Sequence, residues 1–295
     1  MQYTAHQAFI APARARPQIW RLLLGVLLVM AVYLAGFVVL LGILTLTSGW
    51  DGAQNWMRLM ATGSTPTGSL LLLASFLGMA LGPFLAARLL HRRRIGTLFG
   101  PRHRVVRDFA LALGVCAAVF GLLALLPSDV RPQPNLSLSL WLSFLPLAVV
   151  GILVQTGAEE ILFRGYIQQQ LAARFASPLI WMVLPSVLFA LAHYQPATMG
   201  GNAWLIVAAV GLFALCAADL TAATGSLGAA WGLHFANNSV AILVVALDGP
   251  LSGLALYTMP FSPLDTAALR PLIVQDMVAT IVVWAIIRYA VTRNR

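Results

Sequence analysis

The 295-residue sequence contains no lysine and only two glutamates, and charged residues of every kind make up just 9% of it. A soluble domain carries about 25% charged residues, so this scarcity excludes an ordinary soluble fold. Cysteine is almost as rare. Cys116 and Cys216 both fall in apolar runs, so neither a disulfide nor a cysteine metal site is expected, and both read as packing residues. No internal repeat, heptad or low-complexity tract is visible, and no linker is long enough to separate two soluble domains. Residues 1–295 therefore read as a single domain.

What fills the chain is apolar: 60% of residues are hydrophobic and the mean hydropathy is +0.87. The sequence predicts an all-α, polytopic membrane bundle. Stretches able to cross about 30 Å of hydrocarbon lie at roughly 22–46, 69–87, 109–126, 138–160, 178–196, 203–222, 227–247 and 271–290, about eight transmembrane helices. The first is too long for a signal peptide and lacks a small-residue cleavage site, so it is expected to be retained.

A formal charge of +9 raises the question of nucleic acid, but the arginines alternate between connections as membrane topology requires. Arg14, Arg16 and Arg21 precede the first span, seven arginines from Arg88 to Arg107 crowd the second connection, Arg174 lies in the fourth, and Arg288, Arg293 and Arg295 close the chain. The other side holds Arg58, Arg131 and Arg270 with Asp51, Asp129, Asp248, Asp265 and Asp276. By the positive-inside rule both termini are cytoplasmic, in agreement with an even span count. No nucleic-acid partner is expected. Arginine without lysine fits a GC-rich bacterial genome, and the expected location is a bacterial inner membrane, spanned several times.

The two glutamates are adjacent, Glu159 and Glu160, inside an apolar run. One ionised carboxylate at mid-bilayer costs roughly 2.5–3.5 kcal/mol on insertion scales, and two neighbours also repel. Glu160 and Arg164 stand four apart on one helix face, which predicts an ion pair; Glu159 points about 100° away and is left free. The helical pattern continues through Leu171 before Ser177-Pro178 breaks it, and Gln168, Gln169, Gln170 and Arg174 are expected to protrude into the cytoplasm or lie at the interface.

Only two of five histidines fall in predicted spans, His193 and His234. If helices four and five form a hairpin turning near 176–178, Glu159 and His193 lie at one depth, roughly 25 Å from the turn. His234 lies about 12 Å from the turn near Gly225, and Asn238, one helical turn further, shares its face. Asn238 is preferred over Asn237 as the inward residue. A carboxylate, two imidazoles and a carboxamide thus converge in the cytoplasmic half of the bilayer. Glu159, His193 and His234 match a zinc ligand set; equally, a Glu-activated water beside His and Asn donors would hydrolyse an amide without metal. The bland alternatives are a structural ion pair and two packing histidines, with Phe189 as packing, but the pair alone leaves Glu159 unexplained.

The three stretches E-E-x-x-x-R (Glu159, Glu160, Arg164), F-x-x-x-H (Phe189, His193) and H-x-x-x-N (His234, Asn238) resemble the CPBP intramembrane proteases. That family includes type II CAAX prenyl endopeptidases and bacteriocin-processing or immunity proteins. The resemblance covers residues 140–245. It implies Glu159 as general base or metal ligand, His193 and His234 as water or metal partners, Asn238 as an oxyanion donor and Arg164 orienting Glu160. A zinc or other divalent cofactor and a metal-free mechanism both remain open. The implied activity is hydrolysis of a peptide bond in a membrane-associated peptide or protein near the cytoplasmic face, with the lipid bilayer as the other partner. Two competing classes are a proton- or ion-coupled transporter, against which the missing inverted repeat counts, and a catalytically idle scaffold.

Overall fold

The computed structural model describes residues 3–127, 130–247, 249 and 251–293. Asp129, Asp248 and Arg295, assigned above to connections and the C-terminus, lie outside them. The architecture is an all-α helical bundle. Six of its helices are long and apolar enough to cross a membrane, and the chain is an integral membrane protein. A short α1 (Thr4–Ile10) is followed by α2 (Ile19–Thr62), α3 (Pro66–Leu89), α4 (Arg102–Ala124), α5 (Leu138–Arg174), α6 (Leu179–Leu191), α7 (Ala203–Thr224), α8 (Gly228–Ser239) and α9 (Thr266–Arg293).

The fifth and seventh expected spans are the exceptions. Both are helical, but α6 ends at a turn over 192–193 and Pro196 starts the next short helix, so His193 lies just beyond α6. α8 continues only as far as Val244, through a five-residue π-helical segment. At 44 residues α2 is twice a span, and it kinks at Gly49, where φ +73 is open to glycine but strained for a side chain.

Both described ends of the chain gather on one face with the arginine-rich connection. Tyr3 donates to Asp219 Oδ1 at 2.7 Å, and Arg288, near the end of α9, pairs with Asp219 Oδ2 at 2.9 Å. Gly225, at φ +65, closes the α7–α8 turn on this face. A Cβ there would meet Ala5 O at 2.4 Å, so the docked N-terminal helix also requires glycine. The opposite face carries a three-stranded sheet, β1 (Gln133–Pro134), β2 (Val245–Ala246) and β3 (Tyr257–Thr258), in the order β1-β3-β2. β1 pairs antiparallel and β2 parallel to β3.

α5 is continuous to Arg174, as the apolar pattern predicts, but its glutamines do not protrude. Gln168, Gln169 and Gln170 are buried beneath the N-terminal segment. Gln168 Nε2 donates to Ala218 O, Gln169 Nε2 donates to Phe9 O and Thr97 O, and Gln169 Oε1 accepts from Arg93. A carboxamide that satisfies main-chain carbonyls can be buried at little cost, which composition alone does not reveal.

Candidate active site

The three helices that bear the motifs are also the three that contain π-helical segments among the described residues: Ile161–Gln168 in α5, Leu179–Val183 in α6 and Val240–Val244 after α8. Such widened turns re-aim side chains and collect at functional sites. Here one begins immediately after Glu160.

Glu160 and Arg164 form the expected pair, Nη1 to Oε1 at 2.9 Å, with both side chains essentially sealed from solvent. The guanidinium also donates from Nη2 to Ala214 O at 3.1 Å, and it stands 5.0 Å from the centroid of the Phe189 ring. Phe189 therefore does more than fill space: it covers Arg164 on one side and stands 4.8 Å from the His193 ring. The same Glu160 Oε1 lies 2.8 Å from His234 Nδ1. Since a carboxylate accepts, Nδ1 carries the proton and His234 donates it to Glu160. His234 Nε2 is thereby turned toward Glu159, whose Oε2 lies 3.4 Å away. That oxygen is buried and has no hydrogen-bond partner among the described residues. Phe213 packs edge-on against the His234 ring at 5.0 Å.

Glu159, His193, His234 and Asn238 line one cavity of about 450 Å³. His193 Nδ1 donates to Phe189 O at 2.8 Å, leaving Nε2 as the ring's acceptor. Asn238 Nδ2 donates to Gln155 Oε1 at 2.8 Å. Asn237 lines the cavity as well, so the preference for Asn238 is not exclusive.

Gln155 and Asp276 were not anticipated in the cavity lining. Gln155 is legible in retrospect, four residues before Glu159 and on its face. Asp276, read above as belonging to a far-side connection, stands within α9 and faces the cavity. Glu159 and His193, about equally far from the 176–178 turn, line one cavity, as the hairpin arithmetic requires. Phe213, the eleventh of the 22 residues of α7, touches His234, which puts the site near the middle of that helix. From there the cavity extends along the first half of α7 (Ile206 to Phe213) and of α9 (Leu269 to Thr280) to β2 and Met259. Those elements belong to the sheet-bearing face.

A metal on Glu159, His193 and His234 requires three donors converging at about 2 Å from one point. Among the described residues no group of three or more His, Cys, Asp or Glu is so arranged, and both ring nitrogens of His234 face carboxylates. The trio shares a cavity but does not form a ligand cage. What the geometry offers is acid–base chemistry: a carboxylate with an open oxygen, an imidazole held in one tautomer beside it, and a carboxamide donor.

Residues 137–240 match the family of Rce1-like type II CAAX prenyl endopeptidases, in agreement with the CPBP resemblance of the motifs. That segment contains all six residues of the E-E-x-x-x-R, His193 and His234/Asn238 set. The uncharacterized protein YyaK of Bacillus subtilis (strain 168) is 26% identical over 243 residues, covering 78% of this chain and 79% of its own length. No solved structure matches.

Proposed function

We propose that the protein is an intramembrane endopeptidase of a bacterial inner membrane in which Glu159 activates a water molecule against a peptide bond of a membrane-associated substrate. The observation that carries this reading is the position of Glu159 Oε2: buried, unpartnered among the described residues, and facing the Nε2 of a histidine fixed from behind by Glu160.

In this mechanism the water lies between Glu159 and the scissile carbonyl. Glu159 takes its proton as the water oxygen attacks the carbonyl carbon, while His193 Nε2 accepts a hydrogen bond from the O–H that stays on the attacking oxygen. The developing oxyanion receives the N–H of Asn238 not used on Gln155. His234 Nε2 stands close enough to share the proton gained by Glu159, and Glu160 offsets the charge the imidazole then carries. When the tetrahedral intermediate collapses, that proton passes to the departing amine, so water is divided between the new acid and the new amine. Arg164 and Glu160 are positioning residues. No step requires a metal.

The cavity continues from the motif residues along α7 and α9 toward the sheet-bearing face, the face opposite the arginine-rich connection, which would lie inward.

The test is cleavage of membrane-tethered peptides by purified protein in liposomes. Turnover should disappear in Glu159→Gln, with the protein still folded. Undiminished cleavage by that variant rejects the reading, and proton or solute flux without cleavage would favour a transporter.

A further inference from the structure

Asp276 is an unpaired carboxylate in the middle of a transmembrane helix. It is the eleventh residue of α9, about 15 Å from that helix's start at 1.5 Å per residue. The stripe that α9 turns to the cavity is Leu269, Leu272, Ile273, Asp276 and Thr280, the 3–4 spacing of one helix face. Four of these are apolar or neutral; Asp276 is the exception. It makes no hydrogen bond or ion pair with any described residue. The cations of α9 are engaged elsewhere: Arg270 Nε donates to Asn202 Oδ1 at 3.3 Å, and Arg288 pairs with Asp219.

The lining as a whole is one-sided in charge. Glu159 and Asp276 contribute two carboxylates on different walls, and among the described residues no arginine lines the cavity; the sequence has no lysine to contribute. Asp276 is itself exposed where the cavity opens, and ionisable residues within transmembrane helices face such a cavity or pair with a charge of opposite sign. The protein does not supply that charge, and a cavity walled by carboxylates in a low-dielectric bundle attracts cations.

We propose that Asp276 is a substrate-binding residue that selects a cationic group, the side chain of a lysine or arginine or a free peptide N-terminus, at one fixed position relative to the peptide bond presented to Glu159. The proposal rests on the peptidase reading and adds the class of substrate. Asp276 stands on the wall opposite the motif helices and takes no part in bond cleavage.

The experiment uses the full-length protein in liposomes with a mixed library of hydrophobic peptides, N-acetylated in one arm and free in the other, and the cleaved products are read by mass spectrometry. The acetylated arm should show lysine and arginine enriched at a single position, cleaved about ten- to a hundred-fold faster than norleucine there, the range of one contact to a charged group. Asp276→Asn should flatten that position, bringing the ratio of lysine to norleucine cleavage down to about one. A preference confined to the free-amine arm assigns the site to the N-terminus instead of a side chain. An unchanged preference in Asp276→Asn, an equal loss on all peptides, or no cation preference in wild type overturns the proposal. If no peptide is cleaved at all, the peptidase reading fails first. Affinity of the wild type for lysine and norleucine versions of one peptide then still decides, since equal affinities reject a cation site.

Discussion

His234 Nδ1 and Glu160 Oε1 are 2.8 Å apart, and this contact joins the support of the site to its chemistry. Arg164 holds Glu160, Glu160 holds His234, and His234 presents its second nitrogen to Glu159. The two adjacent glutamates thus occupy opposite ends of one imidazole.

Breaking the support should cost both stability and rate. Glu160→Gln leaves Arg164 buried without its carboxylate, a loss of about 3–5 kcal/mol when one partner of a buried pair is removed. The double variant Glu160→Gln/Arg164→Met should recover part of that stability but none of the activity, because His234 remains unanchored. Thermal unfolding in detergent, run beside peptide cleavage, reads the two effects separately.

Glu159 should behave in the opposite way. Its Oε2 has no hydrogen-bond partner among the described residues, so Glu159→Gln removes a buried charge without breaking a hydrogen bond to that oxygen. Turnover should fall by at least about a hundred-fold, the low end for removal of a general base, while the unfolding temperature stays level or rises. A large loss of stability in this variant would show that Glu159 is structural.

Gln155 should matter through Asn238. Gln155→Leu frees the Asn238 amide to turn away from the oxyanion, and the expected loss is about ten- to a hundred-fold in kcat with KM little changed, as for groups that stabilise only the transition state. A change in KM alone would assign Gln155 to substrate binding.

Chelation offers a fourth check. Since the potential ligands share a cavity without forming a cage, treatment with EDTA or phenanthroline should leave peptide cleavage at its initial rate. Loss of activity that zinc restores would require Glu159, His193 and His234 to rearrange around an ion.

The docked N-terminal segment should respond to acid. Burial pushes the His6 and His91 imidazoles from the ordinary 6.5 down to about 4, with Arg14 adding to the effect at His6 and neighbouring arginines at His91. Both are therefore neutral when docked, whereas an undocked chain binds protons as the pH falls below 6.5. Stability is complete above that value and declines as pH falls from 6.5 toward 4, by about 1.4 kcal/mol per unit of pKa difference at most. The unfolding temperature should drop between pH 7 and pH 5, and the drop should shrink in His6→Phe, whose ring can keep the tilted contact with Trp181 seen at 4.6 Å. An identical drop in that variant would remove His6 from the account.

Much of this was legible in the chain. A charge-poor, apolar sequence announces a membrane bundle, and Glu160 with Arg164 declares its pair through i,i+4 spacing alone. The cavity-lining set of Glu159, His193, His234 and Asn238 is readable because each is a polar residue placed where polar residues are costly. Gln155 and Asp276 escaped notice for different reasons. The first is neutral and attracts no attention beside two glutamates; the second lies 38 residues beyond Asn238, the last motif residue, on a helix that only the fold brings to the cavity. The burial of Gln168 and Gln169 was illegible because their partners, Ala218 for the first and Phe9 and Thr97 for the second, are distant in sequence. The end of α6 at Leu191 was hidden too, since a run of apolar residues does not show its own end.

That early stop has a consequence for water. At 13 residues, α6 covers about 20 Å at 1.5 Å per residue, some 10 Å less than the hydrocarbon it must border. Leu184, Val187, Leu188 and Leu191 on its exposed side can satisfy lipid only over that height, and a short wall is accommodated by local thinning of the bilayer. Thinning there would bring water close to His193, and the rate of peptide cleavage should then depend on the acyl-chain length of the host lipid.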